Sequence, residues 1–134
     1  MIIKCKPVVV FDIEIFDNVF SVIAKNTETK EVFTFEVSER KNQIREIIGL
    51  FEQPNVLFCG YNNHHYDDLI LNYILINKSS LPNDYKIICS TLFSISNTII
   101  EEQDFETYKT YKYAHCYDSM DLLTMLFSSK LRVD

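Results

Sequence analysis

The sequence predicts an α/β fold, a mixed β-sheet flanked by helices. Three observations carry that prediction. Val8-Val9-Val10-Phe11 is an unbroken apolar run leading into Asp12-Ile13-Glu14, and it reads as a strand buried on both faces of a sheet. Two further strand-like stretches follow across short polar connections, which implies an antiparallel meander. A helical pattern then separates the first run from a second one, Val56-Leu57-Phe58-Cys59, as expected of a crossover to a parallel strand.

Taken in order, Asn18 to Lys25 alternates loosely and reads as the second strand, Asn26 to Lys30 as a polar turn, and Glu31 to Val37 as the third strand. Ser38 has the chemistry of a helix N-cap. Ile44, Ile47, Ile48 and Phe51 fall at i, i+3, i+4 and i+7, the stripe of an amphipathic helix, which Gln53-Pro54-Asn55 stops. The Val56–Cys59 strand runs into a polar knot, Gly60 to Asp68. A second helix follows, with Leu69, Ile70, Tyr73 and Ile74 on its inner face. Lys78 to Pro82 is a loop, and Asp84 to about Ile100 is helical from Ile88, Leu92, Ile95 and Ile99. Gln103 to Thr110 reads as a mobile connection and Tyr111 to Tyr117 as a strand. Asp118 or Ser119 then caps a last helix through Leu122, Leu123, Met125 and Leu126.

Composition bounds what this fold can do. A chain of 134 residues, 47% hydrophobic and 24% charged, allows one globular domain with a core of its own. No apolar run approaches the ~20 residues of a membrane-spanning helix. Met1-Ile2-Ile3-Lys4 leads straight into the first strand, without the pattern of a signal peptide. Cys5, Cys59, Cys89 and Cys116 form no CxxC pair, which argues against a zinc ribbon and for buried thiols in a reducing, cytoplasmic setting. The net charge of −6 opposes gripping nucleic acid by the whole surface. Bound metal ions would offset part of it if several acids are ligands. Arg40-Lys41, and Lys109, Lys112, Lys130 and Arg132, could supply a local positive rim.

The chemistry is expected where ligands collect in open α/β sheets, beyond the carboxyl ends of the parallel strands. Asp12 and Glu14 stand there, two positions apart on a strand and so on one face. Neither has a basic neighbour in sequence, and a divalent cation is the simplest agent that makes such a pair favourable. The competing reading ends the strand at Asp12 and leaves both acids solvated in a turn. Asp67, at the start of the helix after the fourth strand, is placed to face Asp12 and Glu14. Three carboxylates converging there could hold one or two Mg²⁺ or Mn²⁺ ions. Two such ions ~3.5–4 Å apart clamp the attacking and leaving oxygens of a phosphodiester.

Asp12-Ile13-Glu14 resembles the first motif, D-x-E, of the DEDD or DnaQ-like exonucleases. That superfamily includes the proofreading domains of DNA polymerases. Asn62-Asn63-His64-His65-Tyr66-Asp67 resembles their second motif, N-x-x-x-(F/Y)-D, with Gly60-Tyr61 ahead of it. Within that superfamily the two motifs resemble those of phage replication proteins. The resemblance implies a ribonuclease H-like mixed sheet and a 3′-to-5′ exonuclease acting on single-stranded DNA or RNA ends with two metal ions. It implies Asp12, Glu14 and Asp67 as catalytic metal ligands, Asn62 as a substrate-placing residue, and Tyr66 as packing at the base of the site. The family also requires a third motif, Y-x-x-x-D or H-x-x-x-x-D, on a late helix. Tyr117 to Asp121 fits Y-x-x-x-D formally and makes Asp121 a candidate fourth carboxylate, but at a strand end rather than on that late helix. Residues 1–134 are therefore expected to form a single exonuclease-like domain that stops short of the usual third motif.

Adjacent His64 and His65 point different ways and lack a third ligand at zinc spacing. His65 is the candidate for the substrate strand and His64 a loop residue. Asp68 is expected to face away from Asp67, at the surface or stabilised by the helix dipole. Phe16 and Tyr61 flank the acidic motifs and are candidates for stacking on bases. A polymerase or other protein is a further candidate partner. The alternative function is a catalytically incomplete exonuclease-like fold that binds nucleic acid or protein as an accessory or inhibitor.

Overall fold

The computed structural model describes residues 2–3, 6–102 and 109–126. Its strands are β1 (Ile2–Ile3), β2 (Lys6–Ile15), β3 (Phe20–Asn26), β4 (Val32–Val37), β5 (Leu57–Gly60) and β6 (Asp118–Asp121). Its helices are α1 (Ile44–Phe51), α2 (Asp67–Ile76), α3 (Tyr85–Glu102), α4 (Lys109–Lys112) and α5 (Leu122–Leu126). A 3₁₀ turn, Asn63–His65, joins β5 to α2.

The sheet runs β4-β3-β2-β5-β6, with β1 paired to β2 off this path. β2, β3 and β4 are antiparallel, whereas β2 with β5 and β5 with β6 are parallel. This is the expected α/β mixed sheet: a three-strand meander extended by parallel strands. The parallel pairing needs a long crossover, and α1 supplies it between β4 and β5. Val10 pairs with Cys59, and Gly60 with Asp121, so β2, β5 and β6 all end along one edge of the sheet.

The core lies between one sheet face and the helices. Phe11, Phe51, Phe58 and Tyr117 interlock there, with the Phe51 and Phe58 ring centroids 4.6 Å apart and Phe11 edge-on to Phe51 at 5.2 Å. Ile44, Ile47, Ile48 and Phe51 are all buried, as their spacing requires. Helix α2 is buried around most of its circumference, with Leu71, Asn72 and Leu75 joining the expected Leu69, Ile70 and Ile74. It packs against both α3 and α4.

Four expectations are corrected. Burial of β2 on both faces holds only for Val8 and Val9. From Phe11 onward the strand alternates, with Phe11 and Ile13 inside and Asp12 and Glu14 outside. Ser38 does not cap α1: its hydroxyl donates to Glu36 and accepts from the Arg40 N–H, while Asn42 Oδ1 accepts the Ile44 N–H at 3.1 Å. Tyr111 to Tyr117 is not a strand. The Asn72 side chain satisfies its backbone instead, donating to the Tyr111 carbonyl and accepting from the Cys116 N–H. His115, at φ 51, breaks any extended course. The strand comes later, as β6, and the cap of α5 is Asp121, whose Oδ1 accepts the Leu123 N–H at 2.9 Å. Among the cysteines, Cys59 and Cys89 are buried as expected and Cys116 is exposed. The expected mobile connection falls mostly on residues 103–108, and Cys5, Lys130 and Arg132 also lie outside the described residues.

Candidate functional site

The edge where β2 and β5 end carries the acids. Parallel pairing sets the end of β5 beside β2, and the chain then turns through Tyr61-Asn62 and the 3₁₀ turn before entering α2. Asn62 takes the left-handed backbone at φ 58, which Asn tolerates better than most residues and which reverses the chain tightly. The turn delivers Asp67 as the first residue of α2, where the helix dipole favours an acid.

Asp67 lands against β2. Its carboxylate accepts a hydrogen bond from the Ile13 N–H and feels the charge of Asp12. Only 7% of Asp67 is exposed. Loss of water is the largest influence on its carboxyl, followed by the charges of Asp12 and Asp68, and together they push its pKa up to about 7. Asp12 and Glu14 occupy the exposed positions of the strand, on the same face. Glu14 and Asp67 both lie close enough to the Tyr66 phenol to push its pKa up, although burial is the larger cause. Tyr66 itself is fixed by a 2.6 Å hydrogen bond to Ser96 on α3. Among the described residues, no lysine, arginine or histidine forms an ion pair with Asp12, Glu14 or Asp67.

As a metal site the donor set is all hard oxygen, which suits Mg²⁺ or Mn²⁺ and not a soft ion. Among the described residues no three His, Cys, Asp or Glu side chains stand ready to hold one ion together. Asp12 and Asp67 are the pair brought together, and Glu14 shares their face without closing a three-ligand cluster. That count still matches the habits of Mg²⁺, which commonly takes one or two carboxylates and fills its octahedron with water and phosphate oxygens.

The remaining candidates divide by exposure. Phe16 and Tyr61 are 55% and 58% exposed, and Asn62 and His65 are exposed as well, so all four are open to a ligand. Asp121 is 2% exposed and is engaged by backbone. Its Oδ1 accepts from Asn62 at 2.7 Å and from Leu123, and its Oδ2 accepts from His64 at 3.0 Å. Those bonds tie β6 to the turn that carries Asn62 and Asp67. Arg40, expected on a positive rim, is held by Glu36 at 2.7 Å, and that guanidinium in turn lowers the Glu36 pKa to about 2.

Asp68 departs most from expectation. It is 6% exposed and faces β6, not solvent, because its side chain is the acceptor for three donors. Tyr117 Oη and Ser119 Oγ donate to it at 2.6 Å each, and Asn63 Nδ2 reaches both of its oxygens at 3.2 Å. Sequence reasoning missed this network. The signal available was weak: polar Ser119 and Asp121 at alternate positions where a buried strand needs apolar ones.

No protein-family model matches the chain. No curated protein matches it. Among solved structures it is similar to Exonuclease I without ligand, at 14% identity and a TM-score of 0.43, over 90% of this chain and 30% of that one. It is also similar to E. coli Exonuclease I in complex with a dT13 oligonucleotide, at 14% identity and a TM-score of 0.39, over 90% and 29% of the two chains. A complex titled ExoI/SSB-Ct matches at 13% identity and a TM-score of 0.42, again over 90% and 29%. The chain thus spans about a third of the length of the proteins it resembles. Likeness this distant leaves the chemistry to be read from the residues themselves.

Proposed function

We propose that this chain is a metal-dependent 3′-to-5′ exonuclease, or part of one, acting on single-stranded nucleic-acid ends. The observation that carries the reading is the meeting of Asp12 and Asp67 at the carboxyl end of two parallel strands, with no ion-pairing basic side chain among the described residues to balance them. Two like charges in a partly dry position cost energy, and a divalent cation removes that cost. The motif resemblance of Asp12, Glu14, Asn62 and Asp67 supports the same reading.

In it, Asp12 and Asp67 hold the ion and Glu14 joins on the open side. A bound Mg²⁺ or Mn²⁺ supplies an activated water and charge stabilisation at the phosphorus. The Ile13 N–H orients Asp67, Tyr66 walls the site, and Ser96 fixes Tyr66. Asn62, Tyr61, Phe16 and His65, all exposed beside the acids, contact the strand end. With Mn²⁺, release of mononucleotides from an oligonucleotide labelled at its 3′ end is expected. Asp12→Ala should cut it at least about 100-fold, the scale lost when even outer groups of a metal site are removed. Millimolar Mn²⁺ that neither binds nor supports hydrolysis would falsify the proposal.

One observation favours a second reading, a nuclease-like fold that binds without turnover. Tyr117 and Asp121, the formal third motif, are both engaged in structural hydrogen bonds. This reading predicts retention of the oligonucleotide, uncut, with fresh metal present.

A further inference from the structure

We infer that a second pocket, on the β6 side of the α2 N-terminus, binds one nucleotide unit: an aromatic base together with its phosphate. Asp67 marks the β2 side of that helix start and Asp68 the β6 side. Against Asp68 lies a cavity of about 400 Å³, within the range of small-molecule sites. The chain contains three histidines, and His64, His65 and His115 all line this one cavity, together with Lys112. In a protein of net charge −6, that gathers cations and N–H donors in one place, as an anion requires.

The aromatic part of the ligand follows from Tyr113, which also lines it. Tyr113 is 57% exposed, and the Lys112 ammonium lies 5.5 Å from its ring centroid. A base stacked on Tyr113 would set its phosphate beside that ammonium. Among the described residues the one acid in the lining is Asp68, which is already taken up by Tyr117, Ser119 and Asn63. His64 stands 3.9 Å from it, while His65 and His115 form no ion pair among the described residues. His65 is shared with the strand-end contact proposed above, but His64, His115, Lys112 and Tyr113 have no part in that site, so the pocket stands whether or not the chain is a nuclease.

The test is proton NMR of the whole chain in EDTA, where only three imidazole Hε1 signals arise. The probes are adenosine 5′-monophosphate, inorganic phosphate and tetrathymidylate. Shifts in at least two imidazole signals are expected with the nucleotide, with affinity falling about tenfold in His115→Asn and in Lys112→Gln. Asparagine keeps the left-handed backbone at His115, so that variant should fold. Shifts of His64 or His115 with tetrathymidylate alone would mean that the unit is read only within a chain, which also supports the pocket, whereas a shift of His65 alone would report the acidic site and overturn it. Still signals with both, equal effects from inorganic phosphate, or unchanged affinity in both variants would overturn it. Loss of hydrolysis in Asp12→Ala with these shifts intact would bear on the acidic site alone.

Discussion

Asp67 and Asp68 are neighbours in sequence, buried to the same degree, and opposite in circumstance. Asp67 receives backbone hydrogen bonds and faces another carboxylate, and its pKa rises to about 7. Asp68 receives two hydroxyls and an amide, which offset the charge of Asp67 beside it. A buried charge with three donors is a structural part. A buried charge with a like charge beside it is a strained part, and strain of that kind is kept where a ligand relieves it. On the proposed function, the first turn of α2 thus divides the sheet edge into a working side, toward β2, and a fastening side, toward β6.

The sharpest way to break this division is on the fastening side. Asp68→Ala strips the acceptor from Tyr117, Ser119 and Asn63 at once, leaving buried donors unpaired. A loss of about 3 kcal/mol is expected, seen as a fall of roughly 10 °C in the thermal midpoint. If Asp68→Ala unfolds with the wild-type midpoint, the network is not holding the fold.

On the working side the sign reverses. Asp67 has a pKa raised by folding, so the folded state keeps its proton more tightly than the unfolded chain does. Stability is then greatest below the ordinary carboxylate range near pH 4, falls as pH rises toward 7, and carries the full cost above that. A rise from the ordinary carboxylate range to about 7 corresponds to at most about 4 kcal/mol, and relaxation of the site brings the expectation to about 2 kcal/mol. In EDTA, the metal-free protein should therefore be less stable at pH 8 than at pH 5, by denaturant titration. Asp67→Asn should be flat over that window and the more stable protein at pH 8. Added Mn²⁺ should recover the loss in the parent chain and do nothing for the variant. An unchanged pH slope in Asp67→Asn would place the strain elsewhere.

This difference between neighbours explains what the sequence disclosed. Strand β2, the meander and the α1 crossover were legible because each rests on a local pattern: an apolar run, a short polar turn, a helical stripe. The nearness of Asp67 to Asp12 was legible too, since it follows from parallel pairing of two such runs. The fate of Asp68 was not. Its partners at positions 117 and 119 arrive from a segment whose strand begins only at Asp118, after a stretch that itself mimics a strand. Tyr111 to Tyr117 has the β-propensity, but Asn72 on α2 claims its backbone groups, and no local pattern announces a hydrogen bond made 39 residues away. The pocket holding all three histidines was hidden for the same reason.

Gly60 joins the two sides, and it separates them on a smaller scale. It ends β5, opposite Asp121, and a Cβ built on it would stand 2.9 Å from Cγ of the buried Asn63. Asn63 cannot simply swing away, because its amide nitrogen serves Asp68 and Ser119. Gly60→Ala should therefore cost about 2 kcal/mol as an overpacked position, less than Asp68→Ala because the network bends without losing a member. The two substitutions share this network, so their costs should fall short of additive in the double variant.

The gentlest probe is Asp121→Asn. One oxygen of the amide can still accept from Asn62 and Leu123, but the amino group that replaces Oδ2 cannot accept from the His64 N–H. That leaves one backbone donor short at the turn, a cost of about 1 kcal/mol. The informative readout is hydrogen exchange at the His64 amide, which should speed up while the core of β2 and β5 stays protected. Oligonucleotide hydrolysis, if present, should fall only as far as the Asn62 and Asp67 positions loosen, with metal affinity nearly unchanged. Loss of metal binding in Asp121→Asn would move Asp121 to the working side and make it the fourth carboxylate. Retained binding with a loosened turn keeps it as the clasp that presents Asp67 to Asp12.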